Sequence, residues 1–124
     1  MVSGIGIDMI EVDRVAEKIG KETGFRELVF STNEIKFCEA KAHKFEHYAA
    51  RFAAKEAFLK AIGTGWTSGT AFNEIEISTD GTGKPEFVFI GITAKTILAM
   101  NLKKVWVSLS HLKTIASAVV VIEK

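Results

Sequence analysis

The chain has 124 residues, enough for one compact domain and too few for two ordinary ones. A hydrophobic fraction of 48% and a charged fraction of 25% exclude a largely disordered polymer. The formal net charge of +1 gives no global field for nucleic acid or a membrane surface, and the lone cysteine, Cys38, excludes an internal disulfide and a zinc pattern.

Residues 2–10 read as a strand with Ile5, Ile7 and Met9 on one face and Gly4, Gly6 and Asp8 on the other. Asp8 is an acid among apolar neighbours. It either caps the following helix or, with open space beside Gly6, serves a metal-phosphate group. The opening residues lack the basic start and long apolar stretch of a signal peptide, and no apolar run is long enough for a bilayer span. A cytoplasmic setting is therefore expected.

A helix is predicted from about Glu11 to Gly20. Arg14, Lys18 and Lys21 recur on it at helical spacing, and Arg26 follows closely. This basic stripe is either a solvated face or a dock for an acidic protein. One or two short helices are expected over 25–41, with Ser31-Thr32-Asn33 as cap and breaker. His43 and His47 stand one helical turn apart, but no third metal ligand accompanies them, and Lys44 stands where a zinc protease needs Glu.

Residues 45–62 form the clearest helix, apolar around most of its circumference and so expected at the centre of the fold. Gly63 ends it, and Gly63-Thr64-Gly65 makes a turn. Between Ala49 and Ile62 its charges are Arg51, Lys55, Glu56 and Lys60, which form either a solvated stripe or the wall of a site. Arg51 and Lys55 carry like charge one turn apart, which is unfavourable unless an anion lies nearby.

Strands follow at about 72–78 and 87–89 around the turn at Asp80-Gly81-Thr82-Gly83. Gly81-Thr82-Gly83-Lys84-Pro85 fails the test for a phosphate-binding P-loop, because Pro85 stands where Ser or Thr is required and Ser78 where the first Gly is required. A helix over 92–101 and a hairpin of strands at 104–110 and 114–122 complete the chain. The irregular order of elements gives an α+β class: a small, mostly antiparallel sheet packed on a long central helix. Ser108 and Ser110 share a strand face next to His111. The three either bind phosphate or move a proton, or are an ordinary strand end and turn.

Taken together, Gly4-Ile5-Gly6-Ile7-Asp8, Arg51-Phe52-Ala53-Ala54-Lys55-Glu56-Ala57-Phe58, Gly63-Thr64-Gly65, Gly83-Lys84-Pro85 and Ser108-Leu109-Ser110-His111 resemble the holo-acyl-carrier-protein synthase family. These are the small, bacterial-type 4′-phosphopantetheinyl transferases, and the resemblance covers essentially the whole chain as one domain, 1–124. It implies a homotrimer with active sites between neighbouring subunits. It implies coenzyme A as donor, a serine of apo acyl carrier protein as acceptor, and adenosine 3′,5′-bisphosphate as by-product. Asp8 and Glu56 match the family's Mg2+ ligands. Coenzyme A contacts map to Lys60, Gly63, Gly65, Lys84, Pro85, Ser108 and His111. Arg14 matches a basic position of the carrier-docking helix, which extends the docking stripe to Lys18, Lys21 and Arg26. Glu56, Lys60 and His111 then stand nearest the chemistry, with Glu34 or His111 as relay for the serine proton. No nucleic-acid or membrane partner is expected. Leu112 departs from the pattern, since many relatives have a small polar residue after the histidine.

Overall fold

The fold is organised around α4, a helix of 19 residues over Lys44–Ile62, with Tyr48 through Lys55 and Ala57 through Leu59 all buried. Only a helix enclosed on nearly all sides tolerates such a sequence. The structure, a computed structural model, describes residues 1–63 and 69–124. In chain order it contains β1 (Val2–Glu11), α1 (Val12–Gly20), α2 (Phe25–Val29), α3 (Thr32–Glu39), α4, β2 (Ile75–Thr79), β3 (Pro85–Phe89), α5 (Gly91–Leu98), β4 (Lys104–His111) and β5 (Ile115–Glu123). Every strand pair is antiparallel. One sheet has the order β1-β5-β4, and β2 pairs with β3 in a second. The α+β class, the central helix and the terminal hairpin are as predicted.

Two apolar clusters share α4. Its C-terminal half packs Phe58, Leu59 and the neighbouring alanines against Ile75, Ile77, Val120 and Ile122. Its N-terminal half packs Tyr48, Ala49 and Phe52 against Val12, Val15, Val29 and Phe30. The two glycines of β1 set the closeness of strand and helix. A Cβ on Gly4 would lie 2.0 Å from the Ala61 carbonyl oxygen, and one on Gly6 would lie 1.9 Å from that of Ala57. The sequence reading placed open space beside Gly6. Helix backbone fills it instead, because glycine is what lets two main chains touch.

The strand predicted from residue 72 begins later. Phe72–Glu74 is a 3-10 turn, and β2 starts at Ile75. The reason lies in the Lys55 ammonium, which donates to the carbonyls of Phe72 at 2.7 Å and Ile75 at 2.6 Å and to Glu34 Oε1 at 2.6 Å. Carbonyls three residues apart point to opposite sides of an extended strand, so the chain must coil to present both to one cation. Glu34 is itself held on both oxygens. Its Oε1 also accepts from the Ser31 amide and its Oε2 from the Ile77 amide. Ser31 and Glu34 close a capping box on α3, and the Ser31 hydroxyl donates to Glu76 at 2.6 Å.

Glu34 is 1% exposed and engaged with three internal donors, so it is sealed from any substrate, and its expected part in relaying a proton is withdrawn. Lys55 likewise leaves the wall of any site, because its side chain is fully enclosed. The anion that its like-charged neighbour Arg51 called for is this internal carboxylate.

Replacing Gly6 by Ala is expected to cost at least about 3 kcal/mol, the upper end of overpacking penalties, because both colliding atoms are main chain. Gly20→Ala enters open space and should stay within about 1 kcal/mol of the parent. Urea midpoints of the two variants at unchanged slope would check this.

Candidate active site

β1 carries Asp8 two residues beyond Gly6 on the helix-facing side, and α4 brings Glu56 and Lys60 to meet it. The Lys60 ammonium bonds Asp8 Oδ1 at 2.9 Å and the Ile7 carbonyl at 3.1 Å. Asp8 and Glu56 line one hollow of about 330 Å³ together with Glu11, Arg14, Lys18 and Phe52. Burial, and then the nearby Asp8 charge, push the Glu56 carboxyl above its ordinary range, with Lys60 and Lys18 opposing. Lys60 is held above its own ordinary value, chiefly by the hydrogen bond to Asp8.

Among the described residues, no group of three or more His, Cys, Asp or Glu side chains is placed to hold a metal. The residues that could hold one here are the two carboxylates Asp8 and Glu56, a donor set of the kind Mg2+ takes when water and substrate phosphates complete its shell.

α1 is amphipathic: Val12 and Val15 enter the core while Arg14 and Lys18 reach the rim of the hollow. Lys21 lies a turn further on, paired with Glu17 at 3.8 Å. Arg26 sits apart, bonded to Glu27 at 2.7 Å and Glu39 at 3.4 Å, against a different depression. The four cations therefore do not form one continuous stripe.

The remaining predicted residues gather elsewhere. Lys84, Pro85, Ser108 and His111 line a second hollow of about 700 Å³ that shares no residue with the first. Phe52 and Glu56 face the first hollow; His47, Ala50 and Arg51 face the second from the other flank of α4. Asp80 pins the turn that carries Lys84, since its Oδ1 accepts from the amides of Thr82 and Lys84 and from the Thr82 hydroxyl. The β4 strand end delivers Ser108 and His111. Gly63 caps α4 in a left-handed conformation, φ 82°, and is exposed. Gly65 lies outside the described residues.

The second hollow also contains a group the sequence reading left unassigned. Arg51 is 2% exposed, and its Nε has no hydrogen-bond partner. The guanidinium stacks 4.1 Å from the centre of the Phe37 ring, and burial lowers its pKa. With Lys41 and Lys84 it makes the second hollow rich in cations. His47 packs edge-on to His111, with ring centres 5.1 Å apart, rather than pairing with His43 across a metal. The sequence signals for Arg51 were its like charge one turn from Lys55 and its place in the motif from Arg51 to Phe58, neither of which gave it a role.

Comparison with known proteins decides the family. The profile of the 4′-phosphopantetheinyl transferase superfamily matches residues 4–118. The chain belongs to this family. A holo-[acyl-carrier-protein] synthase of Cytophaga hutchinsonii is 46% identical, over 100% of this chain and 99% of that protein. Among solved structures, the holo-[acyl-carrier-protein] synthase of Neisseria meningitidis superposes with a TM-score of 0.90 at 33% identity, covering both chains completely. That of Bacillus anthracis, solved in complex with CoA (3′,5′-ADP), gives 0.82 at 36% identity, over 100% of this chain and 98% of the other. The protein is therefore an enzyme of the holo-acyl-carrier-protein synthase type within the transferase superfamily.

The raised Glu56 carboxyl has a sign. A carboxyl whose folded pKa exceeds its unfolded one costs nothing at low pH, where both states are protonated, and destabilises progressively as pH rises through the folded value. Glu56→Gln should therefore raise the melting temperature at neutral pH, and the gain should vanish as pH falls to the ordinary carboxylate range. Melting curves in metal-free buffer across pH 4 to 8 would check this.

Proposed function

We propose that residues 1–124 act as one domain that transfers 4′-phosphopantetheine from coenzyme A to a serine of apo acyl carrier protein. The observation that carries this reading is the pair of Asp8 and Glu56 with Lys60, set on a chain of this family. Asp8 and Glu56 would hold Mg2+, which when bound supplies charge neutralisation at the donor's pyrophosphate.

In the transfer, the serine hydroxyl gives its proton to a water molecule as its oxygen forms a bond to the phosphorus bearing the pantetheine arm. The bond from that phosphorus to the bridging oxygen breaks, and adenosine 3′,5′-bisphosphate leaves with the bonding pair. Protein catalysis of such a step is mainly positioning and charge stabilisation. Lys60 is free to swing from Asp8 toward the departing phosphate and offset its growing charge. Phe52 on the wall of the hollow limits water around the reacting groups. Lys84, Pro85, Ser108 and His111 would grip the rest of the donor, with Gly63 and Gly65 allowing close approach of main chain. Arg14 and Lys18, at the rim of the carboxylate hollow, are placed to receive an acidic carrier, while Lys21 and Arg26 extend the positive field around it. The setting proposed is the cytoplasm; no described helix is long and apolar enough to cross a membrane.

We further propose a homotrimer with its active sites between subunits. Two observations favour it. The carboxylates and the donor-gripping residues occupy separate hollows of one chain. The outer face of the β1-β5-β4 sheet is apolar yet open: Ile5, Ile7 and Met9 are each more than 60% exposed, and Trp106, Ile115 and Val119 lie on the same side. An apolar sheet face of this kind marks an interaction surface. Ile7→Glu should yield monomers by light scattering, with activity reduced at least about tenfold; a parent chain that is monomeric at assay concentration would refute the trimer.

The activity itself is tested by intact mass of an apo acyl carrier protein after incubation with this protein, coenzyme A and Mg2+. A gain of one phosphopantetheine is expected, lost with chelator and reduced at least about a hundredfold in rate by Glu56→Ala. No gain on several folded carriers would overturn the reading in favour of a module that only binds coenzyme A.

A further inference from the structure

His111 stands at the end of β4 with its Nδ1 2.9 Å from Glu46 Oε1. Glu46 belongs to the first turn of α4, and its carboxylate is largely sheltered, with a side-chain exposure of 16%. His43 lies on the far side of that carboxylate, its Nδ1 3.8 Å from Oε2. The edge of the His47 ring packs against the His111 ring. His111 lines the second hollow, whereas Glu46 does not.

A carboxylate on one ring nitrogen fixes which nitrogen carries the proton and stabilises the charged imidazole. It also leaves the opposite nitrogen as the working edge. Among the described residues, His111 Nε2 has no hydrogen-bond partner. The hollow it enters contains Lys41, Lys84, Ser108 and the sheltered Arg51 guanidinium, with Asp80 as the acid among its lining groups. Such a set receives a phosphate rather than a neutral or cationic group.

We propose that Glu46 is a positioning residue for the donor: its carboxylate accepts the Nδ1 hydrogen of the His111 imidazolium, and the ring donates its Nε2 hydrogen to a phosphate of coenzyme A in the second hollow. The proposal rests on the reading of that hollow as a coenzyme A site. Glu46 touches no substrate in this scheme and acts only through His111. The sequence around it, from Ala40 to Glu46, carried none of the motifs that suggested the function.

The test is a double-mutant cycle on steady-state transfer with coenzyme A and apo acyl carrier protein. Glu46→Gln keeps the size of the side chain and removes its charge. It should raise the KM for coenzyme A about tenfold, the scale of one charge-assisted hydrogen bond, with kcat changed less than about threefold and the KM for the carrier unmoved. In a His111→Asn background, the same substitution should have no further effect. Nitrogen NMR of the His111 ring with coenzyme A bound should report both ring nitrogens protonated in the parent and loss of that double protonation in Glu46→Gln. Fully additive effects of the two substitutions, or a ring protonation that Glu46→Gln leaves unchanged, would overturn the positioning role and leave the donor hollow standing. A His111→Asn chain with an unaltered KM for coenzyme A would overturn the reading of the hollow itself, and the proposal with it.

Discussion

A single buried ammonium organises the centre of this protein. The Lys55 amine is sealed from water and held by one carboxylate and two main-chain carbonyls. A charge placed there without partners would be costly, and removing one partner of such a pair typically costs about 3–5 kcal/mol. Two segments distant in sequence from α4 and from each other must therefore arrive together: the start of α3 with Glu34, and the run from the 3-10 turn at Phe72–Glu74 into the first residue of β2. Burial drives the amine's pKa down and the Glu34 charge drives it back up, so the cation depends on the anion beside it. The network specifies where α3 and the small sheet sit on α4, which apolar packing alone does with less directionality.

Around this centre, α4 works as a partition. Its flank with Phe52 and Glu56 belongs to the carboxylate hollow, and its flank with His47 and Arg51 belongs to the cation-rich one. Two regions of opposite electrostatic character are kept apart by a layer of alanines and aromatic rings. Under the proposed function, a substrate with a pyrophosphate and further anionic groups would match both regions, and the apolar outer sheet face would bring one chain's hollow to another's.

Much of this was legible in the sequence. The periodicity of β1, the amphipathic α1, the capping residues at Ser31 and the glycine after α4 are local signals, and local signals survive without knowledge of the fold. Asp8, Glu56 and Lys60 were picked out by motif and meet in space. Long-range consequences were not legible. Lys55 looked like a site or surface charge because a helical wheel cannot say that Glu34 waits on another helix. The start of β2 was missed because one lysine, contributed from elsewhere, bends the preceding turn. Gly6 was read as leaving room, although a missing side chain is equally an invitation for another main chain to fill it. The link between Glu46 and His111 joins residues 65 apart and has no sequence signature.

That main-chain contact carries a consequence for how the enzyme tolerates change. Because Gly4 and Gly6 rest on the carbonyls of α4, the separation between Asp8 and Glu56 is gauged by peptide groups rather than by the bulk of any core side chain. Exchanging one aliphatic residue for another in either apolar cluster alters stability first and leaves the spacing of Asp8 and Glu56 nearly untouched. The interior of the protein is free to drift in sequence while the caliper that spaces its two acids stays fixed.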